Sequence, residues 1–216
     1  MENLDKVILM IIAANVVFSL YGFSKQEIFE KYKFNIAGIQ KGEKLRMFTS
    51  AFLHADYMHL FFNMYTLYMF APIVVIKLGQ LNFLLIYLAS LLLGSMFSYF
   101  FHKHEPYYSA IGASGAVSGI LYASILLYPD MSLYIFFIPI PIPSYVFGIG
   151  YLLYSIYGMK SKTGNIGHDA HFGGAVGGFL LTLLLMPSLL QTNIVMVGLL
   201  AIPIIILFVL IKMGKI

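Results

Sequence analysis

Long apolar runs separated by short polar connections set the pattern of this chain. Crossing a bilayer takes roughly 17–25 apolar residues. Seven stretches approach that length: 7–22, 57–76, 81–101, 114–128, 143–159, 171–190 and 194–212. The first, fourth and fifth are short for full spans. Backbone in lipid must satisfy its own hydrogen bonds, so each run reads as a helix and the chain as an all-α polytopic membrane protein. The longest polar connection, Phe23 to Asp56, holds six of the 13 basic residues, with aromatic and apolar residues at uneven spacing. That predicts short interfacial helices rather than a free loop. The run Ile138-Pro-Ile-Pro-Ile-Pro143 cannot be a helix interior, because each proline removes a donor and clashes with the preceding turn. It predicts a rigid, apolar connection into the fifth span. Val7–Tyr21, with few basic residues ahead of it and no small-residue cleavage site, reads as a retained first span.

Composition supports this reading. Hydrophobic residues make up 60% of the 216 and charged residues only 10%, against about 25% charged in a soluble domain. Such a chain cannot cover itself with polar surface in water, so the lipid bilayer is its partner. The net charge of +4 is small and spread over connections, which leaves nucleic-acid binding without support. The chain has no cysteine, which removes a disulfide, a thiolate nucleophile and cysteine-ligated zinc.

Helix parity gathers the chemistry. The second, fourth and sixth spans cross in the same direction, so their N-terminal ends share one side of the membrane. Those ends carry His54, His59 and Asn63, then Ser114, then His168 and His171. Ser114 stands in Gly112-Ala-Ser-Gly115, at a helix start where unpaired backbone N–H groups and the helix dipole can stabilise an oxyanion. His171, Gly174 and Gly178 fall at i, i+3 and i+7, on one smooth face. Gly115 and Gly119 offer a matching stripe at GxxxG spacing, and packing the two together would bring the Ser114 hydroxyl towards the His171 ring.

Depth agrees. Ser114 lies 15 residues before Pro129 and His171 lies 16 before Pro187. At about 1.5 Å per residue, both sit roughly 6–8 Å below the edge of a ~30 Å hydrocarbon core. His59 and Asn63 are four apart, on one face of the second span. A buried amide suits an oxyanion donor and His59 can add a second; the competing reading is polar glue between helices. Asp169, about 200° around the helix from His171, is poorly placed to orient that ring, which favours a dyad over a triad. His102 and His104 read as solvated loop residues, and Lys160 and Lys162 as marking the membrane edge.

The ordered set Arg46-Met-Phe-Thr-Ser-Ala-Phe-Leu-His54, His59-Leu-Phe-Phe-Asn63, Gly112-Ala-Ser-Gly115 and Ala170-His171-Phe-Gly-Gly174 resembles the rhomboid intramembrane serine proteases. The resemblance covers roughly residues 42–180. It implies a six-helix core with one C-terminal transmembrane helix, a "6+1" arrangement with the core at 1–190 and the additional helix at 191–216. It implies Ser114 as nucleophile and His171 as general base. His59, Asn63 and the Ser114 backbone N–H would form the oxyanion hole. His54, Gly112, Gly115, Gly174 and Gly178 would support the site, with no metal and no cofactor. Transmembrane proteins would be the substrates and the plasma membrane the location. The family orientation puts the N-terminus in the cytoplasm and opens the site outward. Only Lys6 and Lys77 would then lie inside, the reverse of the positive-inside rule. Two positions depart from the pattern. Ser118 stands where many relatives stack an aromatic on the histidine, and Val75 where many carry a glutamate. Two other functions fit parts of the pattern. One is a catalytically silent rhomboid-like factor that binds membrane proteins; the other is a transporter using His54, His59, His168 and His171 as metal ligands.

Overall fold

The computed structural model describes residues 2–134, 140–161 and 166–216. Ile138, Pro139 and Lys162 lie outside these. Among the described residues the elements run as follows. Helix α1 is Glu2–Ser24; α2 is Gln26–Tyr32; strand β1 is Phe34–Asn35; α3 is Ile36–Gln40; α4 is Arg46–Thr49, continued by a 3-10 turn at Ser50–Phe52. Then come α5 at Tyr57–Leu78, α6 at Gln80–His102, β2 at Ser109–Ala110 and α7 at Ser114–Leu127. Strands β3 (Ser132–Leu133) and β4 (Ile142–Pro143) precede α8 at Ser144–Ser161, α9 at His168–Leu185, α10 at Leu189–Thr192 and α11 at Ile194–Lys212.

Each of the seven apolar runs forms a helix. Four of them, at Lys6–Ser24, Tyr57–Leu78, Gln80–His102 and Ile194–Lys212, are long and apolar enough to cross a membrane unaided. The short ones are short for a reason. Every residue of α7 from Gly115 to Leu127 is buried, so this helix is enclosed by protein rather than lipid. At 14 residues it is roughly 21 Å long, shorter than a ~30 Å hydrocarbon core. Both α7 and α9 stop two residues ahead of a proline, at Leu127 and Leu185, because the residue before proline is driven out of helical geometry. Tyr128 and Met186 accordingly leave the helical conformation. The sixth span is thus His168–Leu185 rather than 171–190.

The connection from 23 to 56 is built from short helices, as its composition requires. Asn35 caps α3 by accepting from the Gly38 N–H at 2.9 Å. Arg46 holds the segment together: its guanidinium donates to the carbonyls of Glu30 (2.8 Å) and Lys33 (3.0 Å) and pairs with Glu43. Antiparallel pairing of β1 with β2 ties this segment to the connection leading into α7. The proline-rich run enters the fold as β4, which pairs with β3 immediately before α8.

At the centre α6, α7 and α9 meet on small residues. A Cβ on Gly94 would stand 2.7 Å from the Ala170 carbonyl oxygen, and one on Gly173 would stand 2.8 Å from that of Leu93. On the α7–α9 side, Gly174 and Gly178 press against the carbonyls of Gly115 and Gly119. The two glycine stripes read from the sequence do pack face to face. The share of α6, through Gly94 and Ser90, completes a three-helix junction that fixes the start of α7 against the start of α9.

Candidate active site

Ser114, His171, His59, Asn63 and Gly112 all line one open cavity of about 1550 Å³. Ser114 begins α7, His171 lies in the first turn of α9, and His59 and Asn63 lie in the first two turns of α5. Three helix N-termini thus converge on the same space, as parity requires. Ser114 and His171 are both half-buried, and no hydrogen bond joins their side chains. The helix geometry leaves the first-turn N–H groups of Ser114, Gly115 and Ala116 without intrahelical partners.

The backbone leading into Ser114 is held tightly. Gly112 has φ of 118°, a left-handed conformation that suits glycine, and its N–H donates to the Ser50 carbonyl at 3.0 Å. A side chain there would also meet the His59 ring, with Cε1 2.7 Å from the Cβ position. The next N–H, of Ala113, donates to His54 Nε2 at 3.4 Å. This makes Nε2 an acceptor, so Nδ1 carries the proton and donates to Ser19 Oγ at 2.8 Å. The Ser19 hydroxyl in turn donates to the Phe52 carbonyl at 3.0 Å. His54 is fully buried, and its pKa is lowered to about 3, first by burial and then by His59. It is a neutral strut between α1 and the loop that presents Ser114.

His59 has the complementary tautomer. Asp56 caps α5 by accepting from the His59 N–H at 2.8 Å, which fixes the start of the helix. The Ala55 N–H donates to His59 Nδ1 at 3.4 Å, leaving the proton on Nε2. That nitrogen lies against Gly112, beside Ser114. Asn63 is buried and uses one amide proton on the His59 carbonyl at 3.0 Å; the other is left for the cavity.

The His171 ring lies nearly parallel to that of Tyr151, at 5.8 Å between centroids and 20° between planes. Its other neighbour is His168, edge-on at 6.2 Å. Asp169 does not turn towards His171. Its Oδ1 accepts from the Tyr108 hydroxyl at 3.5 Å and lies 3.8 Å from His102 Nε2. Burial and the charge of Asp169 raise the Tyr108 pKa, so its hydroxyl stays a donor. His102 is accordingly not a solvated loop residue. It ends α6, stacks on Tyr108 at 3.5 Å and 6°, and pairs with Glu105 at 2.7 Å. Among the described residues no group of three or more His, Asp or Glu side chains is arranged to hold a metal ion.

Two participants carry no signal in sequence spacing. Ser19 sits 35 residues from His54, inside an apolar run; Tyr151 comes from α8, one of several tyrosines there. Only the packing of α1 and α8 onto the core reveals them.

The Rhomboid domain model matches residues 41–188 of the chain. The chain is 30% identical over 191 residues to RHOMBOID-like protein 12, mitochondrial, of Arabidopsis thaliana, a match covering 81% of this chain and 56% of the relative. It is 31% identical over 140 residues to Rhomboid protein 1, mitochondrial, of Saccharomyces cerevisiae, covering 63% and 40%. To the rhomboid protease GluP of Bacillus subtilis it is 37% identical over 143 residues, covering 65% and 26%. The chain thus spans between a quarter and about half of these relatives' lengths. Two of the three are named as mitochondrial, so a plasma-membrane location gains no support from them.

Proposed function

The chain belongs to the rhomboid family, and we propose that it is an intramembrane serine endopeptidase acting through Ser114 and His171. The observation that carries this reading is the convergence of the α5, α7 and α9 N-termini on one cavity. Nucleophile, base and donors would there surround a single reacting carbonyl. GluP, named a protease, supports the activity at family level.

In this reading His171 takes the Ser114 proton as Oγ bonds to the peptide carbon. The resulting oxyanion is met by the Ser114 N–H, the free proton of Asn63 and His59 Nε2–H. Collapse breaks the C–N bond, His171 protonates the departing amine, and water then resolves the acyl-enzyme by the same route. The donors are held before substrate arrives, by His54 behind Ala113 and by the Asp56 cap on α5. They need not reorganise as charge develops, which is where such a site gains its rate.

The substrates are transmembrane proteins. The cavity lining includes Phe62 and Met69 of α5 and Phe147 of α8, apolar side chains suited to a membrane segment. A peptide carbonyl inside a helix is hydrogen-bonded and shielded, so the substrate must unwind locally, favouring small or helix-breaking residues near the cut. Residues 1–190 would be the catalytic core and 191–216 an appended span. The protein is an integral, multi-pass membrane protein.

The test is cleavage of a model transmembrane substrate in liposomes. The native chain should cleave, while Ser114→Ala and His171→Ala should not. Alanine variants that cleave as well as the native chain would overturn the dyad.

A further inference from the structure

We propose that Tyr151 of α8 is the positioning residue that sets the orientation of the His171 ring. This inference rests on the catalytic reading above and goes beyond it. Ser118, one turn after the nucleophile, has no ring to lay against the histidine. The space is filled from a different helix: Tyr151 stacks on His171 at 5.8 Å and 20°. Its hydroxyl lies 2.6 Å from Ser118 Oγ, and Ser118 in turn donates to the Ser114 carbonyl at 2.7 Å. With the Ser118 proton committed to that carbonyl, Tyr151 must be the donor to Ser118. One tyrosine therefore lies against the ring of the base and is hydrogen-bonded, through one serine, to the backbone of the nucleophile. Phe147, one turn earlier on α8, extends the stack at 6.2 Å and 10°, and both rings face the cavity.

Two consequences follow from the ring coming from α8. The small residue at 118 is required, because an aromatic there would compete with Tyr151 for the same space. The orientation of His171 also depends on α8 being seated, whereas the glycine contacts between α7 and α9 do not involve that helix. Dyad alignment and the position of α8 are coupled through this one side chain.

Three variants test the assignment in liposome cleavage, with thermal unfolding followed in parallel. Tyr151→Phe keeps the ring and should retain kcat within about threefold. Tyr151→Ala should lower kcat by roughly tenfold or more with KM changed less than threefold, and should slow fluorophosphonate labelling of Ser114 equally. Adding Ser118→Tyr to Tyr151→Ala, which returns a ring from the nucleophile's own helix, should recover most of the lost kcat. Retained kcat in Tyr151→Ala, or a loss in Tyr151→Phe as deep as in Tyr151→Ala, would overturn the positioning role while leaving the dyad intact. Cleavage surviving in Ser114→Ala would instead remove the catalytic reading itself.

Discussion

The carbonyl oxygen of Gly115 occupies the place where a Cβ on Gly174 would have to stand. The same contact recurs one turn further on, between Gly119 and Gly178. A backbone oxygen cannot swing aside as a flexible side chain can, so any substituent on Gly174 pushes α7 and α9 apart. These are the helices that carry Ser114 and His171.

Gly174→Ala should therefore cost stability and activity together. Overpacking of this kind costs about 1–3 kcal/mol. A displacement near 1 Å at the reacting groups can cost roughly 100-fold in rate. Gly150→Ala on α8 is the matched control, since nothing lies within 4 Å of its Cβ position. It should leave both readouts unchanged or gain slightly from helix propensity. Thermal unfolding in detergent and liposome cleavage measure the pair. A Gly174→Ala chain as stable and as active as the native one would show that the helix spacing is not set by this contact.

Asn63 and His59 should act on kcat rather than on substrate binding. Each has a free N–H at the cavity, and the charge those donors meet exists only after Ser114 attacks. Loss of a single oxyanion donor lowers kcat by about 10²–10³. Asn63→Ala should approach that range with KM little changed. His59→Ala should lose less than the same factor again when combined with it, because donors that act as a unit are not additive. If Asn63→Ala raised KM and spared kcat, the residue would be polar glue between helices after all.

His54 makes stability depend on pH in a defined direction. Its pKa is lowered to about 3 in the folded chain, against about 6.5 when unfolded. Between those values the unfolded chain binds a proton that the folded chain refuses. The His54 contribution is thus fully present above pH 6.5, falls as pH drops towards 3, and is exhausted below it. One such proton is worth about 1.4 kcal/mol per pH unit within that window. His54→Ala should lower stability at neutral pH, by leaving Ala113 N–H and Ser19 short of a partner, and should flatten the loss between pH 6.5 and 5. Unfolding midpoints at pH 7.5 and 5 compare the two chains; an equal drop in both would assign the pH dependence to other groups.

The parts of this site that the sequence reveals are those with local physical signatures. Ser114, His171 and the glycine stripes stand out because helix periodicity places them on common faces, and parity places those faces on one side of the membrane. His59 and Asn63 stand out for the same reason. The supports do not, because they come from elsewhere. Ser19 reaches His54, and Tyr151 reaches His171, from helices whose lateral order no periodicity specifies. The role of His102 is hidden in the same way: in the sequence it ends a span beside a polar loop, and only the fold stacks it on Tyr108 against a buried Asp169. Proline did mark helix ends, but the break comes one residue before it, which is why α9 stops at Leu185.

Parity itself can be tested. Seven helices crossing in turn put Lys41, Lys103 and Lys160 on one side of the membrane and Lys77 on the other, and all four are exposed. The native chain has no cysteine, so single cysteines at these positions report without background. Membrane-impermeant maleimide should label the first three as a set and Lys77 in opposition to them. The family orientation expects the set of three to face outward, although this leaves 11 of the 13 basic residues outside, against the positive-inside rule. Labelling of the Lys77 position alone from outside would invert the protein and turn the cavity inward, with the convergence of α5, α7 and α9 untouched. Labelling that split the set of three would break the parity that puts Ser114, His171 and Asn63 on one side of the membrane.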